Sequence, residues 1–273
     1  MWRRALPERE WSAAHAVFQP SGEESGGHWE FRKTMAEKWE MEYPLALQIK
    51  TQRPTGKGKQ PGGPNTALRF VAQTTPGRHI GVFPECASHW DWMSGLIAGA
   101  DRPVRVLNLF GYTGLASLAC AAAGAQVTHV DASKKSVAWA RENQRLSGLE
   151  DKPIRWIVDD ALKFVQREAR RGVTYDGIYL DPPKFGRGPK GEVWEVYRSL
   201  PELLAACRQV WSERPLFMVL TVYAVKASAV HLAQSLQEIT RGLGGNLDFG
   251  ELVTREQSAG RLLSQAVYAR WGK

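Results

Sequence analysis

The chain has 273 residues, 43% of them hydrophobic, and a formal charge of +8, with an isoelectric point near 9.5. That length holds a full α/β core and a smaller appendage. Three cysteines without a C-x-x-C pair, and few histidines, argue against a disulfide scaffold or a structural zinc site. No apolar run approaches membrane-spanning length, and Met1 to Pro7 has no signal-peptide core. These features point to a cytoplasmic enzyme with no membrane and no metal partner. The basic balance permits nucleic-acid binding without proving it.

The first eighty residues are rich in tryptophan, including Trp2, Trp11, Trp29 and Trp39. Short strands are expected at Trp11 to Phe18, Trp29 to Lys33, Trp39 to Tyr43, Leu45 to Thr51 and Ala67 to Gln73. In the fourth of these, Leu45, Leu47 and Ile49 alternate with Ala46, Gln48 and Lys50, the period of a half-buried strand. A small antiparallel β appendage over residues 1–77 follows, with the main domain at 78–273. Arg53 to Pro64 is a basic Gly-Pro loop, read as solvated surface, with phosphate contact as its functional alternative.

The main domain alternates strands with helices, the pattern of a parallel sheet. Val104 to Leu109 is an apolar strand. It runs through Phe110-Gly111-Tyr112-Thr113-Gly114 into the alanine-rich helix Leu115 to Ala123. Strand, glycine turn and helix N-terminus form the first unit of a nucleotide-binding fold. Gln126 to Asp131 is a strand ending in an acid about 20 residues past the glycines, the spacing of a ribose-hydroxyl acceptor. The turn is not G-x-G-x-x-G and offers no base for a pyrophosphate, so a ligand with ribose and no phosphate fits better than NAD.

A helix follows over Ser133 to Ser147, with Ser133 as N-cap and Gly148 as stop. Next come a strand at Ile154 to Val158 ending in Asp159-Asp160, a helix at Leu162 to Arg170, and the strand Gly177 to Leu180. That last strand runs into Asp181-Pro182-Pro183-Lys184-Phe185. The two prolines donate no backbone N–H and force the chain out of the sheet. A carboxylate, free carbonyls and a flat ring at one strand end suit a planar, hydrogen-bonding substrate such as a nucleobase. The bland alternative is a loop whose prolines merely stop a strand. Four features in register at strand carboxyl ends, where open α/β sheets bind ligands, favour a site.

Phe185 to Gly191 reads as a glycine-rich loop carrying Arg187 and Lys190 beside Lys184, placed for phosphate contacts. Phe185 is a stacking ring for an extruded base. Trp194 and Tyr197 either line the same pocket or pack a helix on the sheet. A helix over Leu200 to Val210, a strand at Leu216 to Val222 and an amphipathic helix at Ala227 to Leu243 come next. Leu247 to Thr254 and Gln265 to Trp271 close the chain as an antiparallel pair joined through Ser258 to Arg261.

Taken together, Asn108 to Gly114, Val130-Asp131-Ala132-Ser133, Asp159-Asp160-Ala161 and Leu180 to Phe185 resemble the motifs of class I S-adenosylmethionine-dependent methyltransferases. They are most similar to the bacterial large-subunit ribosomal RNA subgroup of 5-methylcytosine type. Arg78 to Glu85 is similar to the segment these enzymes carry ahead of the catalytic domain. The resemblance covers Arg78 to the C-terminus. It implies a Rossmann-like α/β sheet ending in an antiparallel pair, and S-adenosylmethionine as cofactor.

By that resemblance Asn108, Phe110 and Gly111 line the methionine end, with Phe83, Thr113 and Gly114 also cofactor-binding. Asp131 takes the ribose hydroxyls, Ala132 or Ser133 lies against the adenine, Asp160 takes its amino group and the Ala161 N–H its ring nitrogen. Asp181 lies beside both cofactor and acceptor, and Pro182, Lys184 and Phe185 complete the catalytic set.

The chain departs from the subgroup at one place. Those enzymes attack the base with a cysteine after the strand that follows D-P-P, where this sequence has Val222-Tyr223-Ala224. Cys120 and Cys207 read as core residues. Cys86 lies close to the entry segment, where it could approach the cofactor, with nothing beside it to suggest activation. Direct methyl transfer to nitrogen or oxygen of RNA, ribosomal RNA included, is therefore expected. The alternatives are a methyltransferase for a small molecule or protein side chain, and a noncatalytic RNA-binding module of the same fold.

Overall fold

The structure is a computed structural model that describes residues 7–21, 26–46 and 67–273. The basic loop 53–64 and residues 47–51 of the expected fourth strand lie outside the described residues.

Helix α1 (Glu8–Ser12) opens the described chain, preceded by Pro7 with φ −65°. β1 (Ala16–Pro20) and β2 (Gly27–Phe31) form an antiparallel ladder, and β3 (Lys38–Pro44) and β4 (Ala67–Gln73) form a second two-stranded sheet. Of the strand expected at Trp11 to Phe18, Trp11 and Ser12 are helix and only Ala16 to Phe18 are strand. Pro7 has the fixed φ that suits a helix start, and Glu8-Arg9-Glu10 are good helix formers. Leu45 and Ala46 follow β3 outside any strand.

A 3-10 turn at Pro84–Cys86 leads into α2 (Ala87–Gly99), a helix the sequence reading left unassigned. Its buried face mixes His89 and Ser94 with Trp90, Met93 and Ile97, so the apolar period is blurred.

Then come β5 (Arg105–Leu109), α3 (Leu115–Ala122), β6 (Gln126–Asp131), α4 (Lys134–Leu146), β7 (Ile154–Val158), α5 (Ala161–Arg170) and β8 (Gly177–Leu180). β9 (Phe185–Arg187) and β10 (Val193–Glu195) pair antiparallel. The stretch expected to be a glycine-rich loop is therefore a hairpin with its turn at 188–192. α6 (Val196–Gln209) begins four residues before the expected helix and contains Pro201. β11 (Phe217–Val222), α7 (Ala229–Ile239), β12 (Asn246–Arg255) and β13 (Leu262–Gly272) complete the chain.

Seven strands form one sheet in the order β12-β13-β11-β8-β5-β6-β7. β11, β8, β5, β6 and β7 run parallel, and β13 and β12 add an antiparallel edge. Every residue of β8 and β11 is buried, as a parallel strand covered on both faces must be. The register levels Leu109 with Val130 and with Leu180, and Leu180 with Leu220. The next residues along, Phe110, Asp131, Asp181 and Thr221, therefore sit side by side at the carboxyl edge.

The chain divides into two compact units, residues 1–41 with 71–83 and residues 42–70 with 84–273. The division is discontinuous, where the sequence suggested a single cut after residue 77. In the first unit Trp29 Nε1 donates to the Thr75 carbonyl at 2.8 Å, the Trp29 ring meets Phe18 edge-on, and Phe83 packs on His79.

Candidate active site

The turn after β5 is tied to its neighbour by one carboxylate. Asp131 Oδ2 accepts the Tyr112 N–H at 2.8 Å and Oδ1 accepts the Ser133 N–H at 2.8 Å. Gly111 N donates to the Val130 carbonyl at 3.1 Å. The turns after β5 and β6 are thus one rigid rim, with Asp131 at its centre. Burial pushes the Asp131 carboxyl above its ordinary range, and the two backbone N–H groups pull against that shift. Each carboxylate oxygen keeps a lone pair for another donor.

Gly114 caps α3 in the left-handed region, φ +86°. A Cβ there would stand 2.7 Å from Ala140 Cβ, so its hydrogen lets α3 and α4 approach. Thr113 is buried, and its carbonyl accepts Asn143 Nδ2 at 2.9 Å. Asn108 is buried beneath the turn and donates through Nδ2 to Ser117 Oγ at 2.8 Å. Ser133 caps α4 as expected, accepting the Ser136 N–H at 3.2 Å. Asp160 caps α5 through the Lys163 N–H at 2.9 Å, which places Ala161 in its first turn. Asp159 accepts the Asp160 N–H and pairs with Arg167.

Asp181 follows β8 into a setting the sequence did not disclose. The Cys86 thiol donates to its Oδ2 at 3.8 Å, joining residues 95 apart in the chain. Burial lifts the Asp181 carboxyl to about 7, the nearby Glu85 charge adds to the lift, and the thiol hydrogen bond opposes it. Burial raises Glu85 as well. The Cys86 thiol is pushed well above its usual range, by burial first and by the Asp181 charge second. A nucleophilic cysteine needs its thiolate, so this thiol is a hydrogen-bond donor. Tyr223, partly exposed after β11, feels the Asp181 charge. Tyr112, pushed up to about 12 by burial, feels both Asp131 and Tyr223. The two carboxylates therefore bracket one site. Glu85 and Tyr112 belong to it, although neither was singled out as a site residue from sequence, and so does Tyr223, whose place after β11 suggested a pocket-shaping ring.

Pro182 is buried, and the Pro183 carbonyl accepts Trp194 Nε1 at 2.7 Å. Trp194 is buried and its ring lies 4.8 Å from that of Phe110, so it fastens the hairpin to both motifs. Phe185 is 60% exposed, with Lys184 Nζ 5.3 Å from its ring centroid. Tyr197 is exposed and its hydroxyl accepts the Lys226 N–H at 2.6 Å. Arg261 is held by Glu256 in a bidentate pair. Among the described residues no group of three or more His, Cys, Asp or Glu side chains is placed to hold a metal. Among them, too, no helix is long and apolar enough to cross a membrane.

Comparison with known proteins bears on this arrangement. The chain aligns in full with the crystal structure of the S-adenosylmethionine-dependent methyltransferase from Agrobacterium tumefaciens, at 46% identity, covering 81% of that chain with a TM-score of 0.85. It shares its fold with the methyltransferase SMU.776 complexed with S-adenosylhomocysteine, at 24% identity over 75% of this chain and 53% of that one, TM-score 0.60. A 113-residue segment, 41% of this chain, is 38% identical to the ribosomal RNA large subunit methyltransferase K/L of Shewanella baltica, of which it covers only 16%. The family model for S-adenosylmethionine-dependent methyltransferases matches residues 64–237. With the seven-stranded sheet and the rim at its carboxyl edge, this makes the chain an enzyme of the S-adenosylmethionine-dependent methyltransferase family.

Proposed function

We propose that this enzyme methylates a nitrogen or oxygen atom of RNA, with ribosomal RNA the leading substrate. The observation that carries the reading is Asp181: a half-buried carboxylate with a pKa near neutrality, beside an exposed aromatic ring on a basic hairpin, with no reactive thiol at the site. The relatives named as ribosomal RNA methyltransferases and the +8 charge support the substrate class.

The donor set fits S-adenosylmethionine. Asp131 is held rigid by two N–H groups with acceptor capacity left over for ribose hydroxyls. Asp160 and the first-turn Ala161 N–H at the start of α5 suit the adenine edge, with Ala132 and Ser133 beside it. Phe110 and Gly111 border the methionine end, with Asn108, Thr113 and Gly114 shaping the turn from beneath. Phe83 stays a proposal on resemblance alone. When bound, S-adenosylmethionine supplies a methyl group activated on a sulfonium.

The protein's part in the transfer is largely positioning. Asp181 accepts a hydrogen bond from the acceptor N–H or O–H and takes its proton as the new bond to carbon forms and the carbon–sulfur bond breaks. Cys86 occupies Oδ2 and leaves Oδ1 for the substrate. Pro182 and Pro183 withhold N–H donors from this edge. Phe185 stacks on the base, and Lys184, Arg187 and Lys190 contact phosphates without reading sequence.

The test is nucleoside mass spectrometry of RNA from a strain lacking the gene, before and after incubation with enzyme and labelled cofactor. A new N- or O-methyl nucleoside is expected. A 5-methylpyrimidine product, or a denaturation-resistant adduct with 5-fluorocytosine RNA that vanishes in Cys86→Ser, overturns the chemistry. Label in protein or small molecules alone overturns the substrate.

A further inference from the structure

The turn after β5 adopts a conformation that its residues do not favour. Phe110 has φ +58° and Tyr112 φ +47°, both in the left-handed region. Bulky side chains resist that region. Gly111 stands between them and is absent from the positive-φ glycines. Its missing side chain therefore serves space, not backbone freedom. A Cβ on Gly111 would lie 2.3 Å from Cε1, 2.4 Å from Nδ1 and 3.0 Å from Nε2 of His129.

That ring has no room to retreat. His129 is 0% exposed. Its Nδ1 is 3.0 Å from Ser117 Oγ, which also receives Asn108 Nδ2 at 2.8 Å. The ring also meets Trp156 at a tilt, centroids 4.7 Å apart. Asn108 and His129 are register partners on β5 and β6, so the layer spans both strands that carry the cofactor rim. Asn108 Oδ1 and His129 Nε2 have no partner among the described residues, a cost that an apolar ring would avoid.

We infer that His129 is a positioning residue for cofactor binding: its ring is the floor on which the strained Phe110-Gly111-Tyr112 turn rests, and the bare Cα of Gly111 is matched to it. The inference rests on the reading of this turn as the holder of the cofactor's methionine end. The turn is clamped from two sides. Asp131 holds the Tyr112 N–H and the His129 ring sets the height of Gly111. A side chain added at 111 lifts the turn off the ring, and a smaller residue at 129 makes room for it.

The experiment is calorimetric titration of S-adenosylhomocysteine into the full chain and four variants: Gly111→Ala, His129→Ala, their combination, and Asp131→Ala. Gly111→Ala is expected to lose about tenfold or more in affinity, the scale of overpacking a rigid site. The double variant is expected to regain most of that loss, so that the two substitutions are strongly non-additive. A purely structural role lowers the melting temperature of Gly111→Ala without changing the affinity of the folded protein. Wild-type affinity in folded Gly111→Ala, beside weakened Asp131→Ala, overturns the inference while sparing the site. Wild-type affinity in both overturns the site reading, and the inference with it. If Gly111→Ala fails to fold, the double variant decides: recovered folding and binding support the pairing, and continued failure refutes it.

Discussion

Asp131 and Asp181 are both half-buried carboxylates at strand ends, yet their surroundings set them to different work. Asp131 is satisfied by two backbone N–H groups and is built to stay put. Asp131→Ala removes the clamp between two turns and the proposed ribose acceptor together. Affinity for S-adenosylhomocysteine should fall by about 1.5–3 kcal/mol, the scale of hydrogen bonds to a charged group. Undiminished calorimetric affinity in the folded variant would sink the ribose assignment. Asp181 has a single thiol donor and a like charge nearby, and its pKa of about 7 puts it at the edge of ionisation. A proton acceptor must be ionised. The single-turnover rate should therefore rise about tenfold per pH unit below pH 7 and level off above it. Asp181→Asn should abolish that limb and lower turnover far more than cofactor affinity. A flat profile in the wild-type enzyme would remove Asp181 from the proton-accepting role.

At the level of elements, the β9–β10 hairpin connects fold to substrate. It is short and carries glycine and proline, so local sequence reads it as a loop. What makes it a hairpin is tertiary: Trp194 Nε1 on the Pro183 carbonyl, Phe110 against the same ring, and Lys163 on Glu192 at 2.7 Å. Its cations are then held at one end of the sheet. Arg187→Ala and Lys190→Ala should each weaken RNA binding evenly across sequences and reduce the slope of log affinity against log salt by about one. Anisotropy titrations with ribosomal RNA fragments over a salt series would measure this, and an unchanged slope would free the hairpin of phosphate contact.

The same contrast explains what was readable beforehand. The Gly111 turn, Asp131, Asp181 and the Ser133 cap each follow directly on an apolar strand or start a helix, so the signal is local. Cys86 reaches Asp181 across 95 residues and brings the Glu85 charge near it, and no periodicity encodes that contact. Helix α2 hid because His89 and Ser94 sit on its buried face, and α1 because Trp11 suggested a strand where Pro7 starts a helix.

At the scale of the whole molecule, two histidines among the described residues are fully buried, His89 and His129, and both bear on its tolerance of acid. Burial pushes each pKa down to about 3, with the Arg270 charge adding to the effect at His89. Both nitrogens of His89 lack a partner among the described residues, and its ring lies edge-on to Tyr268 at 4.9 Å. The sign follows from linkage. In the unfolded chain a histidine binds its proton near pH 6.5, while the folded protein refuses it until about pH 3. The stabilising contribution is therefore present above pH 6.5 and is lost progressively as pH falls toward 3. Asp181 acts in the opposite sense. Its folded pKa is raised, so its contribution is full below the unfolded carboxylate value and disappears as pH rises through about 7. A raw stability curve mixes these terms, and a variant separates them. His89→Leu keeps an apolar side chain against Tyr268 and removes the titrating group. Its stability relative to wild type should improve by about 2 kcal/mol between pH 7 and pH 5, the proton linkage of one histidine shifted this far. Urea unfolding of both proteins at the two pH values supplies the comparison. An identical pH dependence would mean that His89 takes up its proton in the folded enzyme at the same pH as in the unfolded chain, the Asp248 charge offsetting its burial.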